Sequence, residues 1–198
     1  DDKIVSNGSS SCHALAIVLK VLNDKLGVKR ATMTTVHAYT SDQQLSDTAR
    51  TNLRWSRSAA ENIIPNKSWA PIAVQELIPD LRGKVNGMAL NVPVPAGSNM
   101  DLVIELDKPV SADEFNAVMY EASEGKYKGL LACTDELIVS SDAIGTSASA
   151  LIDTQATMSL DNGLVKCIAW YDNGWGYAYR LLETARKMAG LIDAGEAL

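Results

Sequence analysis

The chain has 198 residues, 46% of them hydrophobic, enough for one globular domain with a substantial core. Its net charge of −6 argues against nucleic acid or an anionic membrane as the main partner, and no apolar run reaches the length of a membrane span. Three widely spaced cysteines (Cys12, Cys133 and Cys167) and only two histidines imply a reducing, cytoplasmic compartment, with neither a disulfide framework nor a structural metal site.

In chain order, the opening residues Asp1 to Ser6 read as a strand already under way, which predicts a domain cut from a longer protein. From Cys12 the apolar residues Leu15, Val18, Leu19, Leu22 and Leu26 keep helical spacing, and Gly27 supplies the stop. Val28 to Tyr39 is rich in β-branched residues and reads as a strand. Residues 40–62 are polar, lack a period and carry Arg50, Arg54, Trp55 and Arg57, the pattern of a functional or interface loop. A short helix over 70–78 precedes Pro79, and strands follow at Val85 to Val94 and Met100 to Leu106, with Pro93, Pro95 and Gly97 marking the turn. Ser111 and Glu114 form a capping box for a helix to about Ala122. Three strands are predicted around 136–141, 148–158 and 163–171, the last two joined at Asn162-Gly163, before a final helix from Trp175 or Gly176 to Ile192. The pattern is α+β, with a mainly antiparallel or mixed sheet and helices on one face, forming a single domain over 1–198.

The chemistry concentrates at Ser6-Asn7-Gly8-Ser9-Ser10-Ser11-Cys12-His13, where small hydroxyl residues lead into the first helix. Such a helix start offers free N–H groups and a positive dipole end to an anion. A cysteine placed there has a depressed thiol pKa. The residues alone leave open whether Cys12, Ser10 or neither is a nucleophile. Gly174-Trp175-Gly176 lacks the third glycine of a dinucleotide fingerprint and precedes no βαβ unit.

Five separated motifs fall into one known order: Ile4-Val5-Ser6-Asn7, Met33-Thr34-Thr35-Val36-His37-Ala38-Tyr39-Thr40, Asn62-Ile63-Ile64-Pro65, Gly83-Lys84-Val85-Asn86-Gly87-Met88-Ala89 and Trp170-Tyr171-Asp172-Asn173. Together the motifs, running in one register over roughly residues 4 to 190, resemble the catalytic domain of phosphorylating glyceraldehyde-3-phosphate dehydrogenases. The resemblance implies an NAD-dependent oxidation of an aldehyde to an acyl phosphate, with NAD held by an N-terminal Rossmann domain that is absent from this chain. It also implies a phosphorylated aldehyde or another phosphate-bearing small molecule as ligand. A homo-oligomer built through residues 40–62 is a further implication.

Carried over position by position, His37 matches the family's catalytic histidine and Thr40 a substrate-phosphate threonine. Asn173 and Tyr177 match the residues beside the nicotinamide. Ser9, Ser11 and Ser68 fall at phosphate-binding hydroxyls, and Arg54 or Arg57 at a phosphate-site arginine. Two departures stand out. The register through Leu15-Ala16 puts Ser10 at the cysteine position of the family's Ser-Cys-Thr-Thr-Asn-Cys, and Asn91 at its phosphate-binding arginine. A serine hydroxyl is far less acidic than a thiol, and an amide brings neither the charge nor the fork of a guanidinium. Cys12 lies two residues on, about 200° around the helix, and so faces away from His37. These changes imply that the chain alone lacks full activity; the alternative is a lapsed homologue kept for binding, regulation or assembly.

Overall fold

The computed structural model describes residues 4–160 and 162–190. Helix α1 (Ser10–Lys25) starts two residues earlier than its apolar pattern indicated, because the Ser9 hydroxyl accepts the Cys12 N–H and extends the first turn. Its buried stripe runs through Leu15, Val18, Leu19 and Leu22. The chain then reverses at Gly27, whose φ of +72° suits glycine.

Strand β1 (Val28–Ala38) follows, then the irregular segment up to β2 (Ile64–Lys67), helix α2 (Ala70–Leu77), and strands β3 (Val85–Val92) and β4 (Ser98–Leu106). Helix α3 (Ala112–Glu124) carries both halves of the Ser111/Glu114 capping box. Strands β5 (Leu131–Thr134), β6 (Ala150–Leu160) and β7 (Leu164–Tyr171) complete the sheet before α4 (Trp175–Met188). The expected helix end at Ile192 lies outside the described residues.

The seven strands lie in the order β2-β3-β1-β4-β7-β6-β5. The sheet is mixed: β1 and β3 run parallel, as do β5 and β6, and the remaining neighbours are antiparallel. Strict alternation in β4 and β7 turns Met100, Leu102, Ile104, Val165, Cys167 and Ala169 to one face, beneath α1. The opposite face is open and polar, with Lys166 paired to Asp101 at 2.8 Å and Arg30 to Glu105 at 2.6 Å. A sheet apolar on one side only is the arrangement that puts helices on that side.

One predicted strand is wrong. Residues 136–141 run as irregular backbone into a turn at Ser140 and Ser141, and the edge place beside β6 is taken by Leu131–Thr134. Leu137 and Val139 have strand-like side chains but stay exposed, so the run buries nothing that would hold it in the sheet. It loops instead over the start of β4, bringing the Ser140 carbonyl to Gly97, where a φ of +80° and the absence of a Cβ are both required.

Candidate functional site

The register of the sheet assembles a row of polar side chains at one end of its core face. His37 on β1 pairs with Asn91 on β3, and Ser98 on β4 with Tyr171 at the end of β7. Val36 pairs with Asn99, so the next step along β1 and β4 brings His37 beside Ser98. Each of the four residues continues the core-facing parity of its strand, where apolar neighbours give way to polar groups. The N-terminus of α1 lies against this row: the Ser11 hydroxyl is hydrogen-bonded at 2.9 Å to that of Tyr171.

Hydroxyl bookkeeping orients the protons. Thr35 donates to the Asn99 carbonyl at 3.1 Å, which uses its single proton. Tyr171 therefore donates to Thr35 over 2.5 Å, and Ser11 donates to Tyr171. The phenol is fully buried, and burial pushes its pKa up. Its ring meets His37 edge-on at 6.0 Å.

His37 is held through Nδ1, 2.6 Å from the Ala38 carbonyl. A carbonyl only accepts, so Nδ1 carries the proton and Nε2 is the basic nitrogen of the neutral ring. Burial lowers the imidazole pKa, partly offset by this hydrogen bond. Ser98 Oγ accepts the Ala38 N–H at 3.1 Å and donates to Asn173 Oδ1 at 3.2 Å, which leaves the Asn173 amide N–H groups presented. Asp172 fixes this corner: its two oxygens accept the N–H groups of Gly174, Trp175 and Gly145 at 2.7–2.8 Å. Asn91 is buried and accepts from Asn66 at 3.3 Å. Thr40 follows β1, its N–H donating to Gln43 Oε1 at 2.9 Å.

Ser10 is the first residue of α1 and is half-buried; its hydroxyl makes no hydrogen bond to His37. Ser9 is exposed and spends its oxygen on the cap. Cys12 sits in the apolar core against the sheet, and burial pushes its thiol pKa up, against the depression that a helix start alone favours. Cys167 is pushed to about 12 and Cys133 to about 11 by the same desolvation.

Arg54 and Ser68, far apart in sequence, line one cleft of about 870 Å³ with Asn66, Lys67, Trp55 and Trp69. Arg57 does not line it; its guanidinium lies 3.8 Å from Asp47 on the exposed loop. Of the two arginine candidates, only Arg54 joins Ser68. Tyr177 stands on the far side of α1, stacked on His13 at 5.9 Å, and its carbonyl accepts from Asn7 at 3.4 Å. Among the described residues no group of three or more His, Cys, Asp or Glu side chains is placed to hold a metal ion.

Sequence reasoning missed Thr35, Ser98 and Tyr171 as site components. The available signal was strand parity: polar residues at core-facing positions, at the ends of strands otherwise apolar on that face.

Residues 9–173 match the family model described as glyceraldehyde 3-phosphate dehydrogenase, C-terminal domain. The chain is 46% identical to glyceraldehyde-3-phosphate dehydrogenase 2 of Trichormus variabilis, with 94% of this chain and 55% of that protein covered. It is 47% identical to glyceraldehyde-3-phosphate dehydrogenase 1 of Bacillus subtilis, covering 94% and 56%. For glyceraldehyde-3-phosphate dehydrogenase 2 of Streptomyces avermitilis the identity is 43%, covering 91% and 54%. The chain thus spans about half the length of the curated relatives it matches. With five motifs, a matching domain and this degree of identity, the chain belongs to the glyceraldehyde-3-phosphate dehydrogenase family, through its C-terminal domain.

Proposed function

We propose that residues 1–198 are the catalytic-type half of a glyceraldehyde-3-phosphate dehydrogenase-like oxidoreductase of glycolytic type, working in the cytoplasm with an N-terminal NAD-binding Rossmann domain. In that reading an aldehyde, inorganic phosphate and NAD give an acyl phosphate, reduced cofactor and a proton. NAD, when bound, supplies the hydride acceptor. The observation that carries the reading is His37: with Nδ1–H committed to the Ala38 carbonyl, its Nε2 is left bare as a proton acceptor. Asn173, held by Ser98, presents N–H donors suited to an amide carbonyl of the cofactor. Arg54 and Ser68 suit a phosphate-bearing small molecule, as do the N–H groups at the start of α1. Self-association through residues 40–62 is supported by the exposure of Leu45 and Leu53.

Ser10 limits what this half does. A neutral imidazole draws little alkoxide from a serine hydroxyl, and here the hydroxyl is not bonded to the ring. The chain therefore binds more readily than it turns over, which favours a binding, regulatory or assembly role as the second reading. The test measures reduced-cofactor formation from glyceraldehyde 3-phosphate, NAD and phosphate, with the chain and its Ser10→Cys variant. The unaltered chain gives none above a buffer blank. In Ser10→Cys a fast-alkylating thiol appears, and adding His37→Ala slows it. Turnover by the unaltered chain that is abolished by His37→Ala would overturn the lapsed-activity reading; a Ser10→Cys thiol indifferent to His37→Ala would remove the histidine from the site.

A further inference from the structure

The side of α1 turned away from the His37 row faces α4 across a cleft of about 410 Å³. His13 lines this cleft and lies two residues beyond Ser11, about 200° around the helix, so the cleft and the row share no residue. Ile17 of α1, Leu77 and Ile78 at the end of α2, and Leu130 just before β5 give the cleft apolar walls. Its charged end belongs to α4, through Arg180 and Glu183.

Arg180 is the anomaly here. It is only 7% exposed, yet its guanidinium is poorly satisfied. Nη1 donates to the Gly129 carbonyl over a long 3.4 Å, and a Glu183 carboxylate oxygen lies 2.9 Å from Nε as an ion pair. Neither Nε nor Nη2 makes a hydrogen bond among the described residues, and both are closed off from water. A buried donor without an acceptor is costly, the more so when it is charged. Neighbouring charges do not relieve it. Lys20 adds a second cation to the lining, while its partner Asp24 stays outside the cleft. Burial lowers the His13 pKa, so that ring is neutral at neutral pH. The lining therefore sets two cations, Lys20 and Arg180, against the one carboxylate of Glu183.

We propose that the cleft between α1 and α4 binds a small aliphatic monocarboxylate, its carboxylate on Arg180 and its tail against Ile17, Leu77 and Leu130. Guanidinium and carboxylate match as paired forks, so a carboxylate on Nη1 and Nη2 exchanges the long bond to Gly129 for charge-assisted ones. Because Nη2 is covered, seating the ligand takes a turn of the Arg180 side chain toward the cleft. A monoanion also cancels the excess positive charge of the lining. The corresponding amide gives Arg180 only a weaker, neutral acceptor, and inorganic phosphate leaves the apolar walls uncovered.

The test is a nuclear magnetic resonance titration of the 198-residue chain with hexanoate, hexanamide and inorganic phosphate, repeated in Arg180→Met and Leu77→Glu. Hexanoate should shift the amide signals of His13 and Ile17 and bind at least about tenfold more tightly than hexanamide or phosphate. Arg180→Met should bring hexanoate down to the affinity of hexanamide. Leu77→Glu, which sets a like charge in the apolar wall, should weaken hexanoate by about tenfold. Leu77 is 66% exposed, so this variant tests the site even where Arg180→Met fails to fold. The proposal is overturned if hexanoate does not bind, binds no more tightly than hexanamide or phosphate, or shifts only the signals of Ser9 to Ser11 or Arg54. Undiminished hexanoate binding in Leu77→Glu, or in a folded Arg180→Met, overturns it as well.

Discussion

Replacing Tyr171 by phenylalanine removes one oxygen atom from the centre of the hydroxyl chain that joins α1 to the sheet. Thr35 keeps its donation to the Asn99 carbonyl and loses only an incoming bond, a net cost of about 1 kcal/mol. Ser11 loses its one side-chain partner among the described residues and becomes a buried donor with no acceptor, costing about 1–3 kcal/mol. The sum is about 2–4 kcal/mol, which for a domain of this size lowers Tm by roughly 4–16 °C. In urea it moves the midpoint by about 1–2 M, at a slope of about 2 kcal/mol/M. Equilibrium unfolding followed by far-ultraviolet circular dichroism reads this directly. The proton directions make a sharper claim: adding Ser11→Ala to Tyr171→Phe deletes the stranded donor and should restore about 1 kcal/mol. A Tyr171→Phe chain within about 0.5 kcal/mol of the parent would refute the hydroxyl chain as a stabilising element. A double variant less stable than Tyr171→Phe alone would refute the assigned proton directions.

Gly97→Ala should destabilise by more than the ~1 kcal/mol of a positive φ, because its Cβ would lie 1.9 Å from the Ser140 carbonyl oxygen. Gly83→Ala, at φ +74° with nothing within 4 Å, is the control; equal thermal shifts for the two would refute the steric account. His37 and His13 both have pKa values lowered from 6.5, mainly by burial, so the unfolded chain binds more protons than the folded one as pH falls. Stability should therefore be full above pH 6.5 and decline as pH drops through the folded-state values, with a slope that His37→Gln reduces; a urea midpoint flat from pH 7 to 5 would contradict this. Thiol labelling of the native chain should be slow at neutral pH, with half-buried Cys133 reacting before Cys12 and Cys167, and all three should react in urea. A thiol that labels rapidly near pH 6 would mean that Cys12 is activated after all.

Local pattern determined much of this protein. The apolar spacing from Leu15 to Leu22 set α1, the Ser111/Glu114 pair set the start of α3, and alternation along β4 and β7 fixed which face of the sheet is covered. The motifs carried the family. Tertiary structure decided what neighbouring residues do to one another. Cys12 sits at a helix start, which favours a thiolate, yet the sheet packed against it removes water and reverses the effect. Residues 136–141 have the side chains of a strand, but the pairing edge belongs to Leu131–Thr134. Arg54 and Arg57 are equivalent by local sequence, and only the fold of the loop brings one of them to Ser68. The row of Asn91, His37, Ser98 and Tyr171 is a product of strand order and register. Periodicity is a property of each segment and can be read within it, whereas desolvation and hydrogen-bond partnership depend on which segments meet.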